Sequence, residues 1–174
     1  FSLITMMSVG LMGASAAVVG QNLGAERPDR ATRAVRIASG IGLVGAGCVG
    51  ALFLLAPHAL LGIFGMTDPA VTGISVQLLR YLSVSGFFIA LALTYTGGLH
   101  GTGDTRSPLY ISIVSQIAIP LGLCFFFQQT RGLEPADIWL AILLGHITRG
   151  TLSMARFRQG KWREIVVDIE PARA

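Results

Sequence analysis

The sequence predicts an all-α, polytopic membrane bundle. Four bilayer-length apolar stretches alternate with short loops, a fifth apolar stretch opens the chain, and the arginines favour every second loop. About 20 residues rising ~1.5 Å each cross a hydrocarbon core of ~30 Å, which suits 37–56, 77–99, 108–127 and 138–155, with 3–20 slightly shorter. Composition agrees: 52% of residues are hydrophobic, 13% are charged and the mean hydropathy is +0.66, whereas about a quarter of residues are charged in an average soluble domain.

The opening stretch, 3–20, begins at Phe1 with no charged flank, so the chain is expected to be part of a longer protein whose start falls inside a helix. Its end, Ala14-Ser15-Ala16, imitates a secretory cleavage site. A leader should carry a basic flank ahead of its apolar run, and cleavage here would leave Arg27, Arg30, Arg33 and Arg36 on the translocated side, against the usual bias of basic residues. The next loop, 21–36, spaces Glu26 from Arg30 and Asp29 from Arg33 at i, i+4, and its second half is expected to start a helix in the headgroup region.

Pro28, Pro69, Pro108 and Pro135 stand where helices should begin, since a first-turn proline sacrifices no hydrogen bond. Asp68, Ser107 and Glu134 precede three of them near the N-cap. In the stretch 37–56, Ala38, Gly42, Ala46 and Gly50 form a seam of small residues, and in 77–99 Gly86, Ala90, Thr94 and Gly98 form another. Such seams let helix backbones approach closely in lipid. Within 108–127, Pro120 removes an interior hydrogen bond and predicts a kink. After 138–155, the segment from Arg156 to Arg163 reads as an interfacial anchor with Trp162 at headgroup level. The predicted organisation is therefore a transmembrane region over 1–163 and a cytoplasmic tail of mixed charge over 164–174.

Orientation follows from the basic residues. With the loop after the first stretch inside, Arg27, Arg30, Arg33, Arg36, Arg106, Arg156, Arg158, Lys161, Arg163 and Arg173 all lie inside. Arg80 and Arg131 fall outside, and Arg149 lies within the last span near its inner end. The net charge of +4 thus reflects topology, with no nucleic-acid partner implied.

Soluble chemistry is poorly supported. Gly40-Ile41-Gly42-Leu43-Val44-Gly45 matches G-x-G-x-x-G, but no strand precedes it, it lies in a membrane-length run, and no acid follows until Asp68. His58, His100 and His146 are far apart without a second ligand at helical spacing, so neither a metal nor another cofactor is expected. Cys48 and Cys124 fall within spans and imply no disulfide framework. No nucleophile motif points to an enzyme.

Polar residues at membrane depth are the better candidates, because each needs a partner or a function. The predicted spans hold no Asp or Glu. Gln77, Arg80, Tyr81, Thr94 and Tyr95 along one span, Gln116 in the next, and His146 with Arg149 in the last are the candidates, with snorkelling or helix-to-helix hydrogen bonding as the plain structural alternative. Met6, Met7 and Met12 offer an adaptable apolar surface, or simply face lipid.

Val19-Gly20-Gln21-Asn22-Leu23-Gly24-Ala25-Glu26-Arg27-Pro28-Asp29-Arg30-Ala31 resembles the stretch closing the eighth helix of bacterial MATE (multidrug and toxic compound extrusion) transporters. Gly101-Thr102-Gly103-Asp104-Thr105-Arg106-Ser107-Pro108 is similar to that family's G-x-G-D-T-R-x-P loop after the tenth helix. Residues 132–139, followed by Arg156-Phe157-Arg158-Gln159-Gly160-Lys161-Trp162, resemble its twelfth helix and basic end. The resemblance implies a twelve-helix, two-lobe transporter of the bacterial plasma membrane, of which this chain is the partial second lobe, from the end of helix eight through helix twelve. It implies a first lobe as partner, a coupling cation, H⁺ or Na⁺, and export of amphipathic, often cationic compounds by alternating access.

By the same resemblance the seventh, eighth and tenth helices line the cavity, which points to Met6, Met7, Gln77, Arg80, Tyr81, Thr94 and Tyr95 as substrate contacts. The chain departs from some members in carrying no acid on the tenth helix, so coupling would rest on carboxylates elsewhere. A lipid-linked sugar flippase of the same superfamily and a non-transporting membrane scaffold are the alternatives. Arg106, beside Asp104 in the loop, is expected to support inner-loop structure.

Overall fold

The computed structural model describes residues 2–66 and 68–164; of the tail expected over 164–174, everything from residue 165 on lies outside the described residues. The described residues form α1 (Ser2–Gly24), α2 (Pro28–Leu55), a short α3 (Pro57–Ile63), α4 (Pro69–Gly101), α5 (Arg106–Ile113), α6 (Ile119–Thr130) and α7 (Pro135–Arg158). A π-helical segment, Val114–Ala118, joins α5 to α6, and a 3-10 turn, Lys161–Glu164, follows α7. Ser2–Gly24, Pro28–Leu55, Pro69–Gly101, Arg106–Thr130 and Pro135–Arg158 are long and apolar enough to cross a membrane. The fold is an all-helical membrane bundle.

The helices outrun the apolar stretches that announce them. α1 and α2 are separated only by residues 25–27, so Glu26 stands in the turn at φ 58° and has no helical spacing to Arg30. A non-glycine residue held there costs on the order of 1 kcal/mol. The Asp68 carboxylate accepts from Ala70 N–H at 2.8 Å and Val71 N–H at 3.4 Å, and Pro69 opens the helix behind it. At the start of α7, Asp137 accepts from the Glu134 N–H at 3.2 Å and pairs with Arg131.

α4 is the axis of the bundle and packs against α1, α2 and α7. The two small-residue seams meet each other: a β-carbon on Gly42 would touch Ala90 and Thr94, one on Gly86 would approach Ala46, and Gly50 faces Ser83. Gly97 and Gly98 turn opposite ways, the first onto the Met12 backbone of α1, the second onto Val35 and Phe157. A β-carbon on Gly97 would come within 2.1 Å of the Met12 carbonyl oxygen, so only glycine permits that crossing.

The main apolar cluster gathers Val19, Ala31, Val35, Tyr95, Leu99, Phe157 and Trp162 at the end of the bundle that holds the arginine-rich turn, called here the basic end. Trp162 stacks on Phe157 with ring centroids 5.1 Å apart, and its Nε1–H donates to the Phe157 carbonyl at 2.7 Å. At 3% exposure its ring is turned inward, correcting the expectation of an outward-facing interfacial anchor. The irregularity expected at Pro120 begins one turn earlier: Ile119 N–H reaches back to the Val114 carbonyl, a five-residue step that relieves the ladder ahead of the proline. Gly145 of α7 fits against the Ser115 carbonyl and the Pro120 ring.

Candidate functional site

Two openings flank the basic-end half of α4, because neighbouring residues on one helix face different partners. Tyr95 points toward α2 and the end of α7. There an opening of about 440 Å³ is lined by Thr32, Arg36, Tyr95, Phe157, Arg158 and Trp162, among others. Thr96 points the other way. A groove of about 530 Å³ lies between α1, α4, α5 and α7, with Met12, Leu93, Leu109 and Pro108 as apolar walls and Thr96, His100, Arg106, Ser112 and Arg149 as polar ones.

A polar knot closes the basic end beside the groove. The α4 chain ends by a turn in which Gly103 takes φ 82° and Asp104 N–H donates to the Leu99 carbonyl. Asp104 then accepts from the Ser107 N–H at 3.0 Å and hydroxyl at 2.7 Å, capping the next helix. Arg156 of α7 donates through Nε and Nη2 to the same carboxylate at 3.1 and 2.9 Å, and Nε also reaches the Ser107 oxygen. Burial by itself raises the Asp104 carboxyl, but the Ser107 hydrogen bonds and then the Arg156 guanidinium outweigh it and hold the group below its ordinary range. The cation that anchors Asp104 is therefore Arg156, from the far end of the chain, whereas Arg106 lines the groove.

The residues expected to contact substrate do not converge. Gln77 and Arg80 are exposed toward the end opposite the basic one, about 27 Å and about 22 Å along α4 from Tyr95. Tyr81 tilts against Trp139 of α7 with ring centroids 6.0 Å apart. Thr94 is fully buried, and its hydroxyl donates to the Ala90 carbonyl at 2.7 Å. Tyr95 sits edge-on to Phe157 within the cluster and at the wall of the smaller opening. Met7 lays its thioether over Gly45, while Met6 is 77% exposed.

A second polar group lies deeper on α7. Arg149 Nε, His146 Nδ1, Ser153 Oγ and, from the π segment, Gln116 Nε2 are shut off from solvent without a hydrogen-bond partner among the described residues. Gln116 Nε2 lies beside Gly145, so the amide and the α7 polar face adjoin. Gln116, His146 and Arg149 stand out in the sequence as polar residues at depth. Ser112 and His100 do not, because their role arises only when four elements enclose one groove. Among the described residues no three of His, Cys, Asp or Glu come together as a metal-binding group.

Comparison with known proteins bears on the whole chain. The MatE family profile matches residues 1–126. A probable multidrug resistance protein NorM of Deinococcus radiodurans is 31% identical over 163 residues, covering 87% of this chain and 35% of that protein. The multidrug resistance protein PmpM of Pseudomonas aeruginosa is 32% identical over 155 residues, covering 83% of this chain and 31% of that protein. The chain thus spans about a third of the length of the curated relatives it matches. The crystal structure of the eukaryotic MATE transporter AtDTX14 superposes with a TM-score of 0.79 at 22% identity, over 94% of this chain and 36% of that one.

Proposed function

The chain belongs to the MatE family, and from that premise we propose that it forms part of the second lobe of a secondary transporter exporting amphipathic, cationic compounds. The observation that carries this reading is its similarity, across most of its length, to relatives named as multidrug resistance proteins. The basic end faces the cytoplasm, where positively charged loops of inner-membrane proteins are retained. A third of a two-lobe protein cannot enclose an alternating-access path, so the remainder of the chain supplies the opposing wall.

Packing supports the division of labour within this segment. The basic-end half of α4 is gripped by α1, α2 and α7, and the half carrying Gln77, Arg80 and Tyr81 has open faces. Substrate contacts therefore fall on that open half and on Met6, while Thr94 and Met7 hold helices together. Coupling to H⁺ or Na⁺ needs a carboxylate at membrane depth, and α4 contains none beyond its capping neighbour Asp68.

The test is efflux of ethidium or norfloxacin from cells expressing the full reading frame that contains this segment, with the proton and sodium gradients collapsed separately. Gradient-dependent efflux is expected, and the gradient that abolishes it names the coupling ion. Absence of efflux for every amphipathic cation, with the protein present in the membrane, overturns the drug-export reading. The basic openings then favour a lipid-linked substrate.

A further inference from the structure

We propose that the groove between α1, α4, α5 and α7 holds an anionic phospholipid of the leaflet at the basic end. Its phosphate lies among Arg149, Arg106 and His100, and an acyl chain lies along Met12, Leu93 and Leu109.

Three observations converge. First, the lining includes two arginines and no carboxylate, and the nearby acid, Asp104, is already held by Arg156 and Ser107. Second, Arg149 lies seven residues along α7 from Arg156, whose partner Asp104 marks the membrane edge. At ~1.5 Å per residue this places the Arg149 backbone roughly 10 Å inside. A guanidinium at that depth is costly unless it reaches an anion or water, yet its Nε is enclosed and unpartnered, as is the adjoining Gln116 Nε2. Both atoms can only donate, so each calls for an acceptor. Third, the groove continues into apolar walls, which free phosphate does not need and an acyl chain does.

Basic pockets between membrane helices at the headgroup level recognise lipid phosphates in this way. An Arg149 side chain extended toward the mouth meets the phosphate, and the Ser112 hydroxyl in the groove wall is placed to donate to an ester carbonyl oxygen. The lipid is a resident, distinct from the exported cation, which two arginines would repel.

The test uses the full-length protein purified into micelles containing equimolar phosphatidylglycerol and phosphatidylcholine, with co-retained lipids quantified by mass spectrometry after gel filtration. The wild type should retain phosphatidylglycerol preferentially, and Arg149→Gln should lower the ratio on the order of fivefold, the share of one interfacial charge. Arg149→Lys should keep most of it, and Lys161→Gln, at the same end but outside the groove, should keep all of it. Equal ratios for the wild type and Arg149→Gln, or a wild type with no preference because a carboxylate elsewhere in the protein satisfies Arg149, overturn the proposal. So does displacement of the lipid by soluble glycerol phosphate, which would mark a site for the headgroup alone. Should Arg149→Gln fail to fold, Ser112→Phe, which fills the groove and keeps both arginines, decides: lost retention supports the proposal and unchanged retention overturns it. Retention is read without transport, so failure of the efflux test leaves this result standing on its own.

Discussion

At the scale of single residues, Asp104 has consequences out of proportion to its size. It caps α5 through Ser107 and ties α7 to the inner turn through Arg156. Because its folded-state pKa is depressed, the stabilisation is fully present above the ordinary carboxylate value of about 4 and is lost as pH falls through the lower folded value. Heat stability of the wild type should therefore decline as pH drops below about 4, and Asp104→Asn, already weakened by about 1–3 kcal/mol, should show less of that decline. Arg156→Ala should cost more heat stability than Arg106→Ala, since only Arg156 holds the carboxylate. The sequence shows Arg106 two residues from Asp104, but the cation that pairs with the carboxylate lies 52 positions further along, beyond any local pattern. Glycines give an equally direct comparison. Gly97→Ala should lower the unfolding midpoint by the equivalent of about 1–3 kcal/mol or more, whereas Gly10→Ala, with nothing within 4 Å of its new methyl group, should be neutral.

At the scale of elements, helix starts are legible because proline and capping chemistry are local. Asp68 and Pro69 announce α4 in two residues, and Asp68→Ala should cost about 1 kcal/mol, measurable as a shift in the unfolding midpoint of the purified protein. The two seams are legible as well, since a four-residue spacing of small side chains leaves a flat face whatever it meets, and here they meet each other. Helix ends are less so: α1 runs past its apolar stretch through the polar Gln21 and Asn22 to Gly24, whereas the start of α2 at Pro28, amid charged residues, agrees with the expected helix start in the headgroup region. The short α3 is also hidden, since seven residues after a proline carry too little periodicity to declare themselves. The π segment is set by a contact across elements. Gly145→Ala would place a methyl group 2.4 Å from the Ser115 carbonyl, and it should separate α7 from the α5–α6 span. A lower unfolding midpoint for Gly145→Ala than for the wild type, by the equivalent of about 1–3 kcal/mol, checks this.

At the scale of the whole molecule, the membrane bundle and the family are readable from hydropathy and three motifs, while the grooves are not. Each groove takes residues from helices far apart in sequence, and the candidate contacts on α4 are strung along its length rather than gathered. The same helix explains both outcomes, being buried among its neighbours over 83–99 and more exposed over 69–82, where Tyr81 still meets Trp139. One feature of that packing bears on how the protein is made. Val19, Val35 and Tyr95 come from the first, second and third long helices, yet Phe157, which completes their cluster with Trp162, lies in the last turn of the fifth, and Trp162 follows it. In a growing chain the first four of these spans are therefore made before the rings that close their basic end. Until then Val19, Val35 and Tyr95 lack the two rings that cover them, so the closing of that end waits on the last residues of the bundle to be made.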